Sequence, residues 1–170
     1  MPPAEKSNII LIGMPGAGKS TVGVILAKLT GKDFLDTDLL IQSAECRTLQ
    51  AILDAEGHSA LRAAEERVLL ELECRNTVVA TGGSAAYSER AMNRLKEGGT
   101  VVFLHASLPT LRRRIHNFDS RGIAKRPEQS FEELFSERFA LYSRYSDLTI
   151  DIESLSQEQV AERACLELGL

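Results

Sequence analysis

The sequence predicts an α/β fold, with about five parallel strands in one sheet and helices on both faces. Three observations predict it. Apolar, β-rich runs alternate with segments of helical periodicity along the chain. The runs are continuously apolar rather than alternating, as strands buried on both faces are. And the first run leads straight into Gly13-Met14-Pro15-Gly16-Ala17-Gly18-Lys19-Ser20-Thr21, which fits the phosphate-loop pattern G-x-x-x-x-G-K-[ST] with a strand before it and a helix after it.

Taken in order, residues 8–12 form the first strand and about 18–30 the first helix, where Val22, Ile25, Leu26 and Leu29 recur at helical spacing before Gly31. Phe34-Leu35-Asp36 is a short second strand, followed by Thr37-Asp38. Residues 38–45 read as a helix, 48–55 as another ending at Gly57, and 58–74 as a longer one with Leu61, Val68, Leu69 and Leu72 on one face. Residues 77–81 are a buried strand stopped by Gly82-Gly83. Ser88 caps a helix that closes at Gly98-Gly99. Residues 100–104 are a further strand and 107–117 a helix. From Asn117 to Gln129 periodicity fails, and a basic, structureless insertion of that length marks a functional loop, a mobile lid. Residues 130–145 are helical, 148–152 the last strand, and Ser156-Gln157-Glu158-Gln159 a capping-box start to a final helix reaching Leu168.

The 170 residues suit one domain, residues 1–170, with a substrate-binding region at about 36–65 and the lid at about 117–129. A net charge of −4 without a long basic run argues against a nucleic-acid partner. Arg112-Arg113-Arg114 is a basic triplet whose members point in different directions on a helix. Cys46, Cys74 and Cys165 are odd in number, lack metal-site spacing, and read as buried or indifferent thiols of a reducing compartment. The opening MPPAEKSN lacks the apolar core of a signal peptide, and no apolar stretch approaches the roughly 20 residues of a membrane helix. The expectation is a cytoplasmic monomer with no membrane contact.

The chemistry starts at the loop. Its glycines let backbone N–H groups turn inward, and the helix N-terminus adds partial positive charge, so the loop is an anion site. Lys19 carries a mobile charge toward the β- and γ-phosphates of a nucleotide, and Ser20 offers a hydroxyl to Mg²⁺. The chain is too short for an added mechanical domain, and it has no N-K-x-D stretch for guanine recognition. Asp36 and Asp38 follow a strand, where parallel sheets place ligand-contacting groups. Asp36 can hold a water on Mg²⁺, and Asp38 can orient an acceptor hydroxyl or take its proton. Thr37 or Asp38 can instead cap the next helix.

The phosphate loop, Phe34-Leu35-Asp36-Thr37-Asp38, Gly57 with Leu61-Arg62 and Glu65, Thr81-Gly82-Gly83, and Glu137-Arg138 with Leu141-Tyr142 together resemble the shikimate kinase family in order and spacing, over nearly the whole chain. The resemblance implies a three-layer P-loop kinase fold of the nucleoside-monophosphate-kinase type, with a five-stranded parallel sheet. It implies transfer of the ATP γ-phosphate to the 3-hydroxyl of shikimate, in aromatic amino-acid biosynthesis. Lys19 and Ser20 then serve ATP and magnesium, with Asp36 reaching the metal through water. Asp38 contacts the acceptor hydroxyl, Arg62 and Arg138 hold the substrate carboxylate, and Gly82-Gly83 line the substrate, Gly83 through its backbone N–H. Arg114 packs on the adenine, Arg121 closes from the lid onto the phosphates, and Gln157 is counted with the nucleotide contacts. A guanidinium grips a carboxylate through two parallel bonds, which suits two arginines on separate helices. Each arginine also has a local carboxylate within reach: Glu65 or Glu66 for Arg62, Glu133 or Glu137 for Arg138.

The chain departs from the family pattern at three places. Gly82-Gly83-Ser84 stands where three glycines are usual, Leu61 replaces a Phe, and the lid reads Arg121-Gly122-Ile123-Ala124 with Arg126-Pro127 following. Arg121 is favoured as the lid arginine because Ile123 can serve as the apolar residue after it. Ser84 either reads or blocks one substrate hydroxyl, or is a neutral replacement that points away; the second is expected. The alternatives to shikimate kinase are a same-fold kinase of another small hydroxy-acid, such as homoserine or a sugar acid, and a nucleotide-binding regulatory relative without activity.

Overall fold

A computed structural model describes residues 6–170; residues 1–5, on which much of the reading of the polar N-terminus rests, lie outside the described part. The sheet has five parallel strands, β1 (Asn8–Ile12), β2 (Asp33–Asp36), β3 (Thr77–Ala80), β4 (Gly99–His105) and β5 (Leu148–Asp151), in the order β2-β3-β1-β4-β5. Its helices are α1 (Lys19–Thr30), α2 (Thr37–Glu45), α3 (Leu49–Glu71), α4 (Glu89–Gly98), α5 (Leu108–Arg114), α6 (Phe131–Tyr145) and α7 (Gln157–Leu168). The expected five-stranded parallel sheet and three-layer architecture are both present.

Hydrophobic burial holds the sheet between its helices. Every residue of β1 and β3 is buried, and Val101, Val102, Phe103 and Leu104 of β4 continue the same core. The unbroken apolar runs are explained by this double covering. With β1 central, the crevice at the carboxyl ends of β1 and its neighbours β3 and β4 becomes the natural ligand site. A second cluster, Ile41, Ile52, Leu61, Ala64 and Ala124, joins α2 and α3 to the lid.

Most helix starts are fixed by serine or threonine side chains that accept a backbone N–H: Thr48, Ser88, Ser107, Ser130 and Ser156. Ser156 forms the expected capping box with Gln159, and Ser130 forms another with Glu133. The two helices expected on either side of Gly57 run together as α3, with a break where Gly57 adopts φ 84°.

Boundaries differ from expectation at several points, and the helix expected to reach residue 74 ends at Glu71. The helix expected over 107–117 ends at Arg114, since Ile115 leaves the helical region. Gly99 does not finish α4 but starts β4, where its backbone is extended. The lid lacks periodicity as expected, apart from a single 3₁₀ turn at Phe118–Ser120, yet it is not free of the core. Ile123 and Ala124 are buried, Gly122 N–H donates to Gln50 Oε1 at 2.7 Å, and the lid rests on the first turn of α3. Cys46 is exposed, and Cys74 and Cys165 are half-buried, so none of the three thiols is a core residue. Among the described residues no helix is long and apolar enough to cross a membrane.

Candidate active site

The loop between β1 and α1 is shaped as its glycines require. Gly16 and Gly18 take φ 86° and 88°, and a β-carbon on Gly16 would strike Ile115 at 2.8 Å. Lys19, the first residue of α1, is buried. Its ammonium donates to Gly13 O at 2.7 Å and Met14 O at 3.0 Å, which commits two of its three donors and leaves one for a ligand. Burial lowers its pKa to about 8, against the pull of Asp38.

Asp36 ends β2 and does two things. Its Oδ1 accepts the Asp38 N–H at 2.9 Å and so caps α2, and its Oδ2 accepts the Ser20 hydroxyl at 2.5 Å. The cap is therefore Asp36, not Thr37 or Asp38. Thr37 is buried and accepts the Gly82 N–H. That leaves the Asp38 carboxylate for the cavity, which it lines. Burial, then Asp36, raises the Asp38 pKa, while Lys19 and Arg121 lower it.

The Ser20–Asp36 pair is an oxygen donor set beside the loop. A hydroxyl and a carboxylate suit Mg²⁺, a hard cation that takes few protein ligands and completes its shell with phosphate and water. Among the described residues no cluster of three or more His, Cys, Asp or Glu forms an all-protein metal cage.

One cavity brings together Pro15, Gly16, Gly18, Lys19, Ser20, Thr21, Asp38, Glu65, Thr81, Gly82, Gly83, Ser84, Arg121 and Arg138, roofed by Gly122, Ile123 and Ala124. Gly82 and Gly83 are needed there for space. A β-carbon on Gly82 would lie 2.4 Å from Glu65 Oε1 and 2.7 Å from Asp38 Oδ1, and one on Gly83 would lie 2.5 Å from Arg138 Nη1. Gly83 O accepts the hydroxyl of buried Tyr142.

Neither Arg62 nor Arg138 makes an ion pair among the described residues. Glu66 pairs with Arg90, Glu137 with Arg126, and Glu133 closes the α6 capping box. Arg138 is 1% exposed and donates to Ala124 O at 2.6 Å; Arg62 donates to the same oxygen at 3.5 Å and lies over the Tyr87 ring at 3.6 Å. The Nε of each is buried without a partner. Arg138 is a buried guanidinium and Arg62 a half-buried one, and a buried guanidinium without a carboxylate is costly unless a ligand supplies one.

In the lid, Arg121 lines the cavity, whereas Arg126 is held outside by Glu137, which also accepts from Gln129 and Tyr87. Arg114 stands at the end of α5, its β-carbon 3.8 Å from where one on Gly16 would be, and Gln157 Nε2 lies 3.4 Å from the same point on Gly18. Both flank the loop, outside the cavity that holds Asp38.

Sequence reading missed the part played by Glu65. It lies one helical turn from Arg62 and reads as its ion-pair partner, but among the described residues it makes no ion pair with Arg62 and receives the Ser84 hydroxyl. Burial raises its pKa to about 7, with Ser84 pulling it down and Asp38 pushing it up. The Gly-Gly-Ser departure was the available signal. Tyr87, the support of Arg62, had none.

The comparisons with known proteins point to one family. The sequence profile described as shikimate kinase matches residues 15–168. A shikimate kinase of Thermodesulfovibrio yellowstonii is 36% identical over 163 residues, covering 94% of each chain. One of Nitrosospira multiformis is 35% identical over 170 residues, covering 98% of this chain and 87% of that one. The solved structure of shikimate kinase from Acinetobacter baumannii in complex with shikimate superposes with a TM-score of 0.87 at 33% identity, over 97% of this chain and 94% of that chain. The chain belongs to the shikimate kinase family and is an ATP-dependent phosphotransferase.

Proposed function

We propose that this member of the shikimate kinase family binds shikimate under its lid and transfers the γ-phosphate of magnesium-bound ATP to the 3-hydroxyl through Lys19, Asp38 and Arg121. The observation that carries the reading is the pair Arg62 and Arg138, two guanidinium groups that pair with no carboxylate and donate to one carbonyl of the lid, with Arg138 lining the same cavity as Lys19 and Asp38 and Arg62 beside it. A carboxylic acid gripped at the arginines presents a hydroxyl toward Asp38.

The chemistry follows from the residues. Gly13 to Thr21 cradle the phosphates with backbone N–H groups, and Lys19 adds charge at the β- and γ-phosphates. Arg114 packs against the base, and Gln157 borders the loop beside it. Ser20, and Asp36 through water, would hold magnesium, which when bound neutralises phosphate charge. Asp38 accepts a hydrogen bond from the 3-hydroxyl and takes its proton as the oxygen bonds to the γ-phosphorus and the bond to the β-phosphate oxygen breaks. A carboxylate whose basicity is raised by burial is better suited to that step than an exposed one. Arg121 stabilises charge on the phosphoryl group in transit, and the closed lid keeps water from competing as acceptor. Gly83 offers its N–H to the substrate, with Gly82 leaving the room.

ATP consumption measured with shikimate, homoserine and gluconate as separate acceptors tests the reading. Stimulation by shikimate alone is expected. Silence across the panel with ATP still bound would overturn it.

A further inference from the structure

Ser84 stands where the family usually has a third glycine, but its backbone (φ −102°, ψ 4°) needs none. Its side chain neither points away nor enters the cavity freely: the buried hydroxyl donates to Glu65 Oε2. Glu65 is itself 3% exposed, and its other oxygen, Oε1, has no hydrogen-bond partner. That oxygen and Asp38 Oδ1 lie 2.4 and 2.7 Å from the point where a β-carbon on Gly82 would be, so the two carboxylates are neighbours on one wall of the cavity.

Two carboxylates brought together in a buried site repel, so something must hold them there. Glu65 has a tempting alternative in Arg62, one turn back on α3, whose Nε is buried and unpartnered. Glu65 instead gives one oxygen to the Ser84 hydroxyl, with the charges of Arg138 and Lys19 also acting on it. In the ionised form of Glu65 the other oxygen, Oε1, only accepts, and, buried and without a donor, it is matched by a donor that a ligand brings.

We propose that Ser84 is a positioning residue for acceptor specificity, which turns Glu65 toward Asp38 so that Glu65 Oε1 accepts a hydrogen bond from the hydroxyl next to the one being phosphorylated. The proposal rests on the assignment of Asp38 to the acceptor hydroxyl. The acceptor class it defines is a carboxylic acid with two neighbouring hydroxyls, one for each carboxylate. A simple hydroxy-acid fills half of that site.

The test compares kcat/KM for shikimate and for 4-deoxyshikimate, which lacks the hydroxyl adjacent to position 3. A site built to bond a hydroxyl rejects the analogue lacking it by orders of magnitude. The unaltered protein is expected to prefer shikimate by about 100-fold or more. Ser84→Ala and Ser84→Gly are expected to reduce that ratio by roughly tenfold or more, mainly through the KM for shikimate, with the KM for ATP nearly unchanged. Ser84→Thr, which keeps the hydroxyl, should keep the ratio. A ratio unmoved by Ser84→Ala, or absent from the unaltered protein, overturns the proposal alone if Asp38→Asn is inactive. Near-normal transfer by Asp38→Asn would sink the Asp38 assignment and this proposal with it.

Discussion

Arg62 and Arg138 come from different helices and donate to one acceptor, the backbone carbonyl of Ala124 in the lid. The two guanidinium groups therefore converge on a single point of negative partial charge. A substrate carboxylate satisfies them better than one carbonyl does, because it offers two charged oxygens. Arg62→Lys should raise the KM for shikimate about 10- to 100-fold with little change in the KM for ATP, since lysine keeps the charge and loses the fork. Arg138→Lys should do more, as Arg138 is fully buried. Steady-state kinetics against each substrate checks both; an unchanged KM for shikimate in Arg62→Lys would leave Arg62 as a prop for Tyr87.

Lys19→Ala should lower turnover by about 100-fold or more, the scale of losing one charged group that meets the transferring phosphoryl. Stability should fall by only about 1–2 kcal/mol, from the two loop carbonyls that lose their donor. Near-normal turnover would refute the phosphate role. In its proposed role only the charged form of Lys19 serves phosphate, so kcat/KM for ATP should decline as pH rises through about 8. The stability effect has the opposite sign. Its folded pKa lies below the ordinary 10.5, the unfolded chain holds more protons between those values, and its burial cost is relieved as pH rises across that window.

Asp38→Asn should bind ATP normally and lose transfer. The amide keeps the shape beside Gly82 but is neither anionic nor able to take the hydroxyl proton. ATP affinity by calorimetry and turnover by coupled assay separate the steps. An affinity that falls as steeply as the rate would make Asp38 a nucleotide or metal residue.

Glu65 should make stability depend on pH in a way its amide does not. Its folded pKa of about 7 is raised above the ordinary 4.5 by burial. Its contribution is therefore fully present below 4.5 and is lost as pH rises through about 7. The difference in unfolding free energy between pH 5 and pH 8, measured in urea, should shrink in Glu65→Gln by on the order of 1–3 kcal/mol. Equal pH dependence in both proteins would show that Glu65 stays ionised throughout.

Gly122→Ala should loosen the lid. Gly122 has φ 69°, and a β-carbon there would lie 2.7 Å from the Leu49 β-carbon and 3.0 Å from the Gln50 nitrogen. Transfer should slow by about tenfold or more, and ATP hydrolysis without acceptor should rise relative to transfer as water gains entry. The Tm should move little, because a lid opens locally without unfolding the sheet. A mutant with unchanged transfer and no added hydrolysis would count against closure at Gly122.

The sequence by itself determined the sheet, the phosphate loop and many of the residues that line the cavity. Continuous apolar runs, a glycine-lysine-serine spacing and serine caps are local signals, and local geometry obeys them: β1, α1 and α7 fall within a residue or so of where periodicity and caps put them. Only the tertiary structure decided what each site residue touches. Asp36, not Asp38, caps α2 because its Oδ1 meets the Asp38 N–H while its Oδ2 reaches Ser20, on another element. Glu65 turns from Arg62, three residues away, to Ser84 across the fold, and Arg62 reaches Ala124, 62 residues on. Sequence spacing ranks partners by nearness along the chain. In a buried site the choice goes instead to whichever donor or acceptor the packed elements bring into reach, because a buried polar group left unmatched costs more than a surface ion pair returns.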